Sequence, residues 1–170
     1  LKVAGEKTSH IVAGAIVISI ILAFFVPSAT ARAGAVVPIL LGMVAAFGMT
    51  VDSKLSALLV ITAVQAVSIW NVGIKTAAAQ NLVAIGFIED QMGQTVSWGK
   101  WFLWAAPWAV LMSIALYFIM LAVMKPEVDR IEGGRELVQQ QLDEMGPMTG
   151  AEKRLTAIAV VLLLFWATEG

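Results

Sequence analysis

The stretch "FVPSATARAGAVVPI" at residues 25–39 decides how the chain is read. It lies in the middle of apolar sequence, yet it holds Pro27, Ser28, Thr30 and Arg32. A proline pushes the residue before it out of the helical region and lacks the amide that a helix interior needs. An apolar helix arriving from the N-terminal side therefore stops here. A second starts among the hydroxyl residues, with Thr30 as its expected N-cap. Gly34 reads as a place where another backbone comes close. The two arms together cover 11–47. Each holds about 15 residues, about 22–24 Å of helix, against about 30 Å of hydrocarbon in a bilayer. Two arms that are both too short point to a re-entrant hairpin whose tip stops inside the membrane.

Composition agrees with a membrane setting. The chain is 59% hydrophobic and only 14% charged, outside the usual mix of a soluble domain. The net charge of −1 and the lack of a basic stripe exclude nucleic acid as a partner. There are no cysteines, so disulfides and thiolate metal sites are excluded. No stretch has the form of a cleavable signal peptide. The chain starts at Leu1 and stops at Gly170 directly after apolar sequence, which reads as a piece of a longer multi-pass protein.

Further along, 55–92 is too long for one ordinary span, and its middle, "SIWNVGIKTAAAQN" (68–81), is polar. It reads as a discontinuous transmembrane helix unwound over about 71–78, a backbone tolerated at membrane depth only inside protein or beside a wet cavity. A plain transmembrane helix follows over 101–124, with Trp98, Trp101, Trp104 and Trp108 at its start as an aromatic belt. The polar stretch 125–153 reads as a cytoplasmic linker. It contains an amphipathic helix with Leu137, Val138, Leu142 and Met145 on one face, between Gly133–Gly134 and Pro147. Thr149 and Glu152 have the spacing of a capping box, and 154–170 is the start of the next transmembrane segment. Lys125, Arg130, Arg135, Lys153 and Arg154 put the linker on the cytoplasmic side, while the 89–100 loop offers Glu89, Asp90 and Lys100 and lies outside. Lys2, Lys7 and Lys54 then also lie inside, so the 11–47 hairpin opens to the cytoplasm.

A hairpin tip and a broken helix at membrane depth are the devices with which secondary transporters bind ions and solutes. Half-helix N-termini attract anions, and unwound carbonyls hold cations. Ser28 and Thr30 offer hydroxyls at the first break, and at the second Thr76 offers a hydroxyl and Asn81 an amide. Arg32 and Lys75 are the expensive residues, since a charge at depth costs at least about 2.5–3.5 kcal/mol. Each either pairs with a carboxylate substrate, stands where another protein holds a cation, or snorkels or pairs with an acid elsewhere.

The order of hairpin, broken helix, Trp-rich helix, linker and "FWATEG" resembles the divalent anion:sodium symporter family of dicarboxylate, citrate and sulfate permeases. "PSATAR" resembles that family's Ser-Asn-Thr hairpin motif. "KTAAAQN" resembles its Gly-Thr-Pro-Pro-Asn-like piece, with Asn81 as the Asn, and "WATEG" is similar to its Trp-x-Thr-Glu motif. The resemblance implies an all-α integral membrane protein with a re-entrant hairpin and a broken helix in the later part of the first of two inverted repeats. It implies a multi-pass protein of the bacterial inner membrane, not an enzyme. Its function would be sodium-coupled, elevator-type transport of small divalent anions, di- or tricarboxylates first, by a homodimer formed outside this stretch. Substrate would meet Ser28, Ala29, Thr30, Arg32 and Asn81. Sodium, the coupling ion and the only metal, would be held near Ser28, Ala29, Thr76 and Ala77, and no other cofactor is implied. The sequence departs from the motifs: Ala29 stands for the Asn, the Gly of the second motif is replaced, and Ala79 and Gln80 stand for the two prolines. With Arg32 and Lys75 present, a built-in charge that substitutes for a cation becomes an alternative, and the protein then is a sodium-independent anion exchanger.

Two other classes are weaker. A serine hydrolase built on Ser28 needs a base nearby, and His10, the only histidine, lies about 27 Å away along a helix at 1.5 Å per residue. A channel or a structural subunit would show ohmic current, or none, in place of saturable countertransport.

Overall fold

The computed structural model describes residues 7–131 and 134–168, with the side chains of Arg135, Leu137 and Gln141 left out. Lys2, Gly133 and Gly170, used above, lie outside the described residues. Regular structure among the described residues is helical: α1 (Thr8–Phe25), α2 (Ala29–Ala46), α3 (Lys54–Gly73), a 3₁₀ turn (Lys75–Ala77), α4 (Ala79–Met92), α5 (Trp98–Val123), α6 (Gly134–Met145) and α7 (Gly150–Ala167). Of these, α1, α2, α3 and α5 are long and apolar enough to cross a membrane.

The break after α1 follows from Pro27. Val26, held before the proline, is extended (φ −116°, ψ 103°) and ends the helix. Ser28, not Thr30, is the N-cap of α2: its Oγ accepts from the amide of Ala31 at 3.3 Å. An N-cap oxygen reaches the amide three residues on, and Ser28 is the first residue after Pro27 free to do so; Thr30 already lies in the first helical turn. The arms are also longer than expected, 18 residues each, or about 27 Å. Arm length therefore does not separate a re-entrant hairpin from two spanning helices.

Helix α3 is the centre of the assembly and packs on α1, α2 and α5. One core cluster joins Val12 of α1, Val36, Leu40 and Val44 of α2, and Leu55, Leu58 and Leu59 of α3. A second lies at the break in α3–α4 and joins Ala23, Trp70, Ile74, Ala77, Trp98 and Ala109. Gly73 belongs to it: a Cβ there would lie 2.9 Å from that of Ala109, so α3 and α5 touch through this glycine. Gly34, expected to serve that purpose, has nothing near where its Cβ would be. The close approach falls at the end of the buried helix, not on the half-exposed one.

The tryptophans divide. Trp104 and Trp108 are exposed and suit an aromatic belt. Trp98 does not: it is buried, stacks on Phe102 at 5.3 Å between centroids, and meets Phe24 at 6.4 Å. It is core because the residues at the start of α5 fold back on the break.

At the other end, the segment after α5 ties the helix ends together. Thr8 donates from N to Asp129 O at 3.0 Å and from Oγ1 to Val128 O at 2.6 Å. The Glu127 carboxylate accepts from the amides of Lys54 at 2.6 Å and Leu55 at 3.1 Å, at the N-terminus of α3. The capping box of α7 forms as expected, with Thr149 N donating to Glu152 Oε2 at 2.7 Å and Glu152 N donating to Thr149 Oγ1 at 3.3 Å. In α6, Val138 and Leu142 are half-buried and Met145 is exposed.

Candidate functional site: the hairpin tip against the broken helix

The break in α3–α4 is shorter than 71–78, because Asn71 and Gly73 are still helical. Ile74 (φ −130°, ψ 126°) and Ala78 (φ −150°, ψ 142°) are extended and bracket the 3₁₀ turn. A helix that stops inside protein leaves its last carbonyls without amide partners, and buried carbonyls are rarely left so. Three side chains answer this, and Trp101 is one, donating from Nε1 to Val72 O at 2.9 Å. Asn81, in the first turn of α4, turns its Nδ2 back on the carbonyls of Asn71 (2.6 Å), Ile74 (2.9 Å) and Lys75 (3.3 Å). Arg32 donates from Nη2 to Ala77 O at 3.1 Å.

Arg32 is the link between the two interrupted elements. It is fully buried (0% exposed) in the first turn of α2. Its Nε donates to Ser28 O at 3.3 Å, at the hairpin tip. Its Nη2 also donates to Asn71 Oδ1 in a short contact. Nη1 is buried without a hydrogen-bond partner. The bonded atoms of the guanidinium thus meet carbonyl oxygens and an amide oxygen. These are neutral oxygens of the kind that solvate a cation.

The other expected residues surround this link. Ser28 and Thr30 are exposed at the tip and Ala29 is half-buried. The Ser28 hydroxyl is engaged as the cap of α2. Ala77 is fully buried, and Thr76 Oγ1 accepts from Trp98 Nε1 at 3.3 Å. Lys75 is buried in the 3₁₀ turn next to Thr76. The structure therefore gathers Ser28, Arg32, Ala77 and Asn81 through Arg32 and the carbonyls of the break. Asn71 belongs to this link, accepting from Arg32 and from Asn81, and the motifs did not single it out; its signal was an amide side chain in apolar sequence one turn before the break. No group of three or more His, Cys, Asp or Glu residues able to hold a metal occurs among the described residues.

The turn between α1 and α2, tied through a buried guanidinium to the break in α3–α4 on a scaffold of apolar helices, defines a membrane protein with a discontinuous helix, a device that secondary transporters use. The chain belongs to the sodium:sulfate symporter family, whose transmembrane region matches residues 1–170. It is 49% identical over 170 residues to a membrane protein of Cupriavidus necator, covering 100% of this chain and 33% of that protein. It is 28% identical over 153 residues to inner membrane protein YbhI of Escherichia coli K12, covering 88% of this chain and 32% of that one. To the L-tartrate/succinate antiporter of the same strain it is 30% identical over 95 residues, covering 56% of this chain and 20% of the antiporter. The chain spans about a third or less of the length of these curated relatives.

Proposed function

We propose that the chain supplies one half of the substrate site of a secondary carrier for small divalent anions, with di- and tricarboxylates the first candidates. The family and a relative named for tartrate and succinate support the anion class. So do the N-termini of α2 and α4 at the two interruptions, whose partial positive charge favours an anion. In this reading the hairpin is re-entrant and opens to the cytoplasm. Ser28, Ala29, Thr30 and Asn81 meet the substrate, and the linker bearing α6 joins a moving body to a dimeric scaffold in an elevator motion.

One observation bears on coupling: Arg32 donates to the carbonyls of Ser28 and Ala77, which the family resemblance assigns to a sodium ion. A sodium ion about 4 Å from that guanidinium would be repelled by about 4 kcal/mol at an effective dielectric of 20, nearly three decades of affinity. Arg32 in this reading takes the place of that ion, and the carrier exchanges anions without sodium. Lys75, two residues before Ala77 in the 3₁₀ turn, is the candidate for a second such charge. The test is uptake of labelled succinate by liposomes holding the full-length protein, loaded with unlabelled dicarboxylate and free of sodium. Rapid uptake supports exchange. Uptake that needs a sodium gradient with Arg32 intact restores symport and leaves Arg32 a structural residue.

A further inference from the structure

The 3₁₀ turn Lys75–Ala77 is three residues long, and each is held by a side chain from a different helix. Asn81 of α4 donates to the Lys75 carbonyl at 3.3 Å, and Arg32 of α2 donates to the Ala77 carbonyl at 3.1 Å. Between them, Trp98 of α5 donates from Nε1 to the Thr76 hydroxyl oxygen at 3.3 Å. The first two grips satisfy backbone carbonyls that the end of a buried helix leaves over. The third has no such duty, because it falls on a side chain.

Trp98 is fixed for this contact by its own surroundings. It is 6% exposed and opens α5 directly after the cap residue Ser97, whose Oγ accepts from Lys100 N at 3.3 Å. Its ring stacks on Phe102 and meets Phe24 near the end of α1, so the indole has little freedom to turn away. An indole N–H only donates, and a hydroxyl has one hydrogen and two lone pairs. Thr76 Oγ1 therefore accepts from Trp98 and sends its own hydrogen elsewhere. Accepting one hydrogen bond polarises the O–H and makes it a better donor. The positive end of the N–H dipole on the same oxygen also disfavours a cation there. The oxygens of Thr76 and Ala77, which the family resemblance offers to sodium, thus both face N–H groups, of Trp98 and of Arg32.

We propose that Trp98 is a positioning residue of the carrier, holding Thr76 so that its hydroxyl donates to a carboxylate of the transported anion in place of binding sodium. The proposal rests on the reading of the protein as a dicarboxylate carrier. It adds Thr76 to the residues that touch the anion, and Trp98 acts through Thr76. Thr76 is half-buried, next to the residue whose carbonyl Arg32 holds. It also lies three residues before the start of α4, where a helix N-terminus favours negative charge.

The test measures KM and maximal rate for succinate exchange in liposomes holding the full-length protein, with melting temperatures in detergent as the check of fold. Thr76→Val keeps the shape and removes the hydroxyl. It should raise KM about 10-fold or more, the loss of a hydrogen bond to a charged group, and change the maximal rate far less. Thr76→Ser should stay close to the unaltered protein. Trp98→Phe keeps an aromatic ring and removes the N–H, and should raise KM about 5-fold, within the range of a neutral hydrogen bond. The decisive readout is the double variant: Trp98→Phe added to Thr76→Val should raise KM no further, because Trp98 then has no hydroxyl to hold. An additive rise makes Trp98 a packing residue and overturns the proposal. A KM unmoved by Thr76→Val overturns it too, and a sodium response that Thr76→Val abolishes overturns it in favour of a cation ligand. Thr76→Val against Thr76→Ser tests the hydroxyl without disturbing the packing around Trp98, so a poorly folded Trp98→Phe still leaves the proposal open to refutation. No exchange by the unaltered protein overturns the carrier reading and this proposal together, whereas exchange with additive variants overturns this proposal alone.

Discussion

Arg32 shows how one residue serves two broken helices. Its guanidinium spans 39 positions of sequence to Asn71 and 45 to Ala77, so the hairpin tip and the unwound turn hold each other in place. Truncating one partner of a buried, hydrogen-bonded charge costs about 2–5 kcal/mol, much of it from the groups left behind. Arg32→Gln should therefore lower transport by about 100-fold or more, and Arg32→Lys, which keeps the charge but not the fork, should recover only part. Asn81 invites a different prediction, because its amide nitrogen meets three carbonyls. Asn81→Asp replaces those donors with acceptors and should destabilise the protein more than Asn81→Ala, which costs about 1–3 kcal/mol for the stranded acceptors. Melting temperatures in detergent read the order, and Ala melting below Asp contradicts it. That Arg32 needed a partner was legible from its charge at depth. Which atoms it meets was not, because the answer lies about forty residues away.

At the scale of elements, the punctuation of the chain was readable where one residue dictates it. Pro27 ends α1, and Thr149 with Glu152 starts α7, as local chemistry requires. The cap of α2 was misread between two hydroxyls two residues apart, and the unwinding was placed three residues too early, because Asn71 and Val72 have no feature that ends a helix. Trp98 was misread as a belt residue because a tryptophan at a helix start looks the same whether it faces lipid or core. Gly73 gives a test of packing. Gly73→Ala puts a Cβ 2.9 Å from that of Ala109 and should cost about 1–3 kcal/mol by overpacking; Gly34→Ala, in open space, should not destabilise. Thermal melting of the two variants side by side decides it, and equal losses refute the assignment of the close contact to Gly73. Glu127 went unnoticed because an acid in a polar linker is ordinary. Backbone hydrogen bonds from Lys54, first, and Leu55 lower its pKa from the usual carboxylate range. A group whose folded pKa is depressed stabilises the fold above its unfolded pKa, here about 4.5, and loses that contribution as pH falls through the folded value. The tie between linker and α3 should thus hold at neutral pH and loosen in acid below that point. Glu127→Gln should flatten the acid limb of the melting-temperature profile, and an unchanged limb contradicts the role.

For the whole molecule, the class of fold was legible, and the sequence carried two readings of its coupling. Apolar runs, two interruptions and an ordered set of weak motifs lead to a helical membrane protein of the sodium:sulfate symporter family. The motifs suggest sodium coupling and the charge of Arg32 suggests exchange; the contacts of Arg32 with the carbonyls of Ser28 and Ala77, which no local pattern encodes, are the ground on which exchange is proposed. The central claim is that a fixed guanidinium does the work of a coupling cation. It is tested most directly by succinate–dicarboxylate exchange in sodium-free liposomes, comparing the full-length protein with its Arg32→Gln variant. The account predicts fast exchange by the first, loss by about 100-fold or more in the second, and no stimulation of the first when sodium is added. Sodium-stimulated uptake by the unaltered protein, or exchange that survives Arg32→Gln, would contradict it.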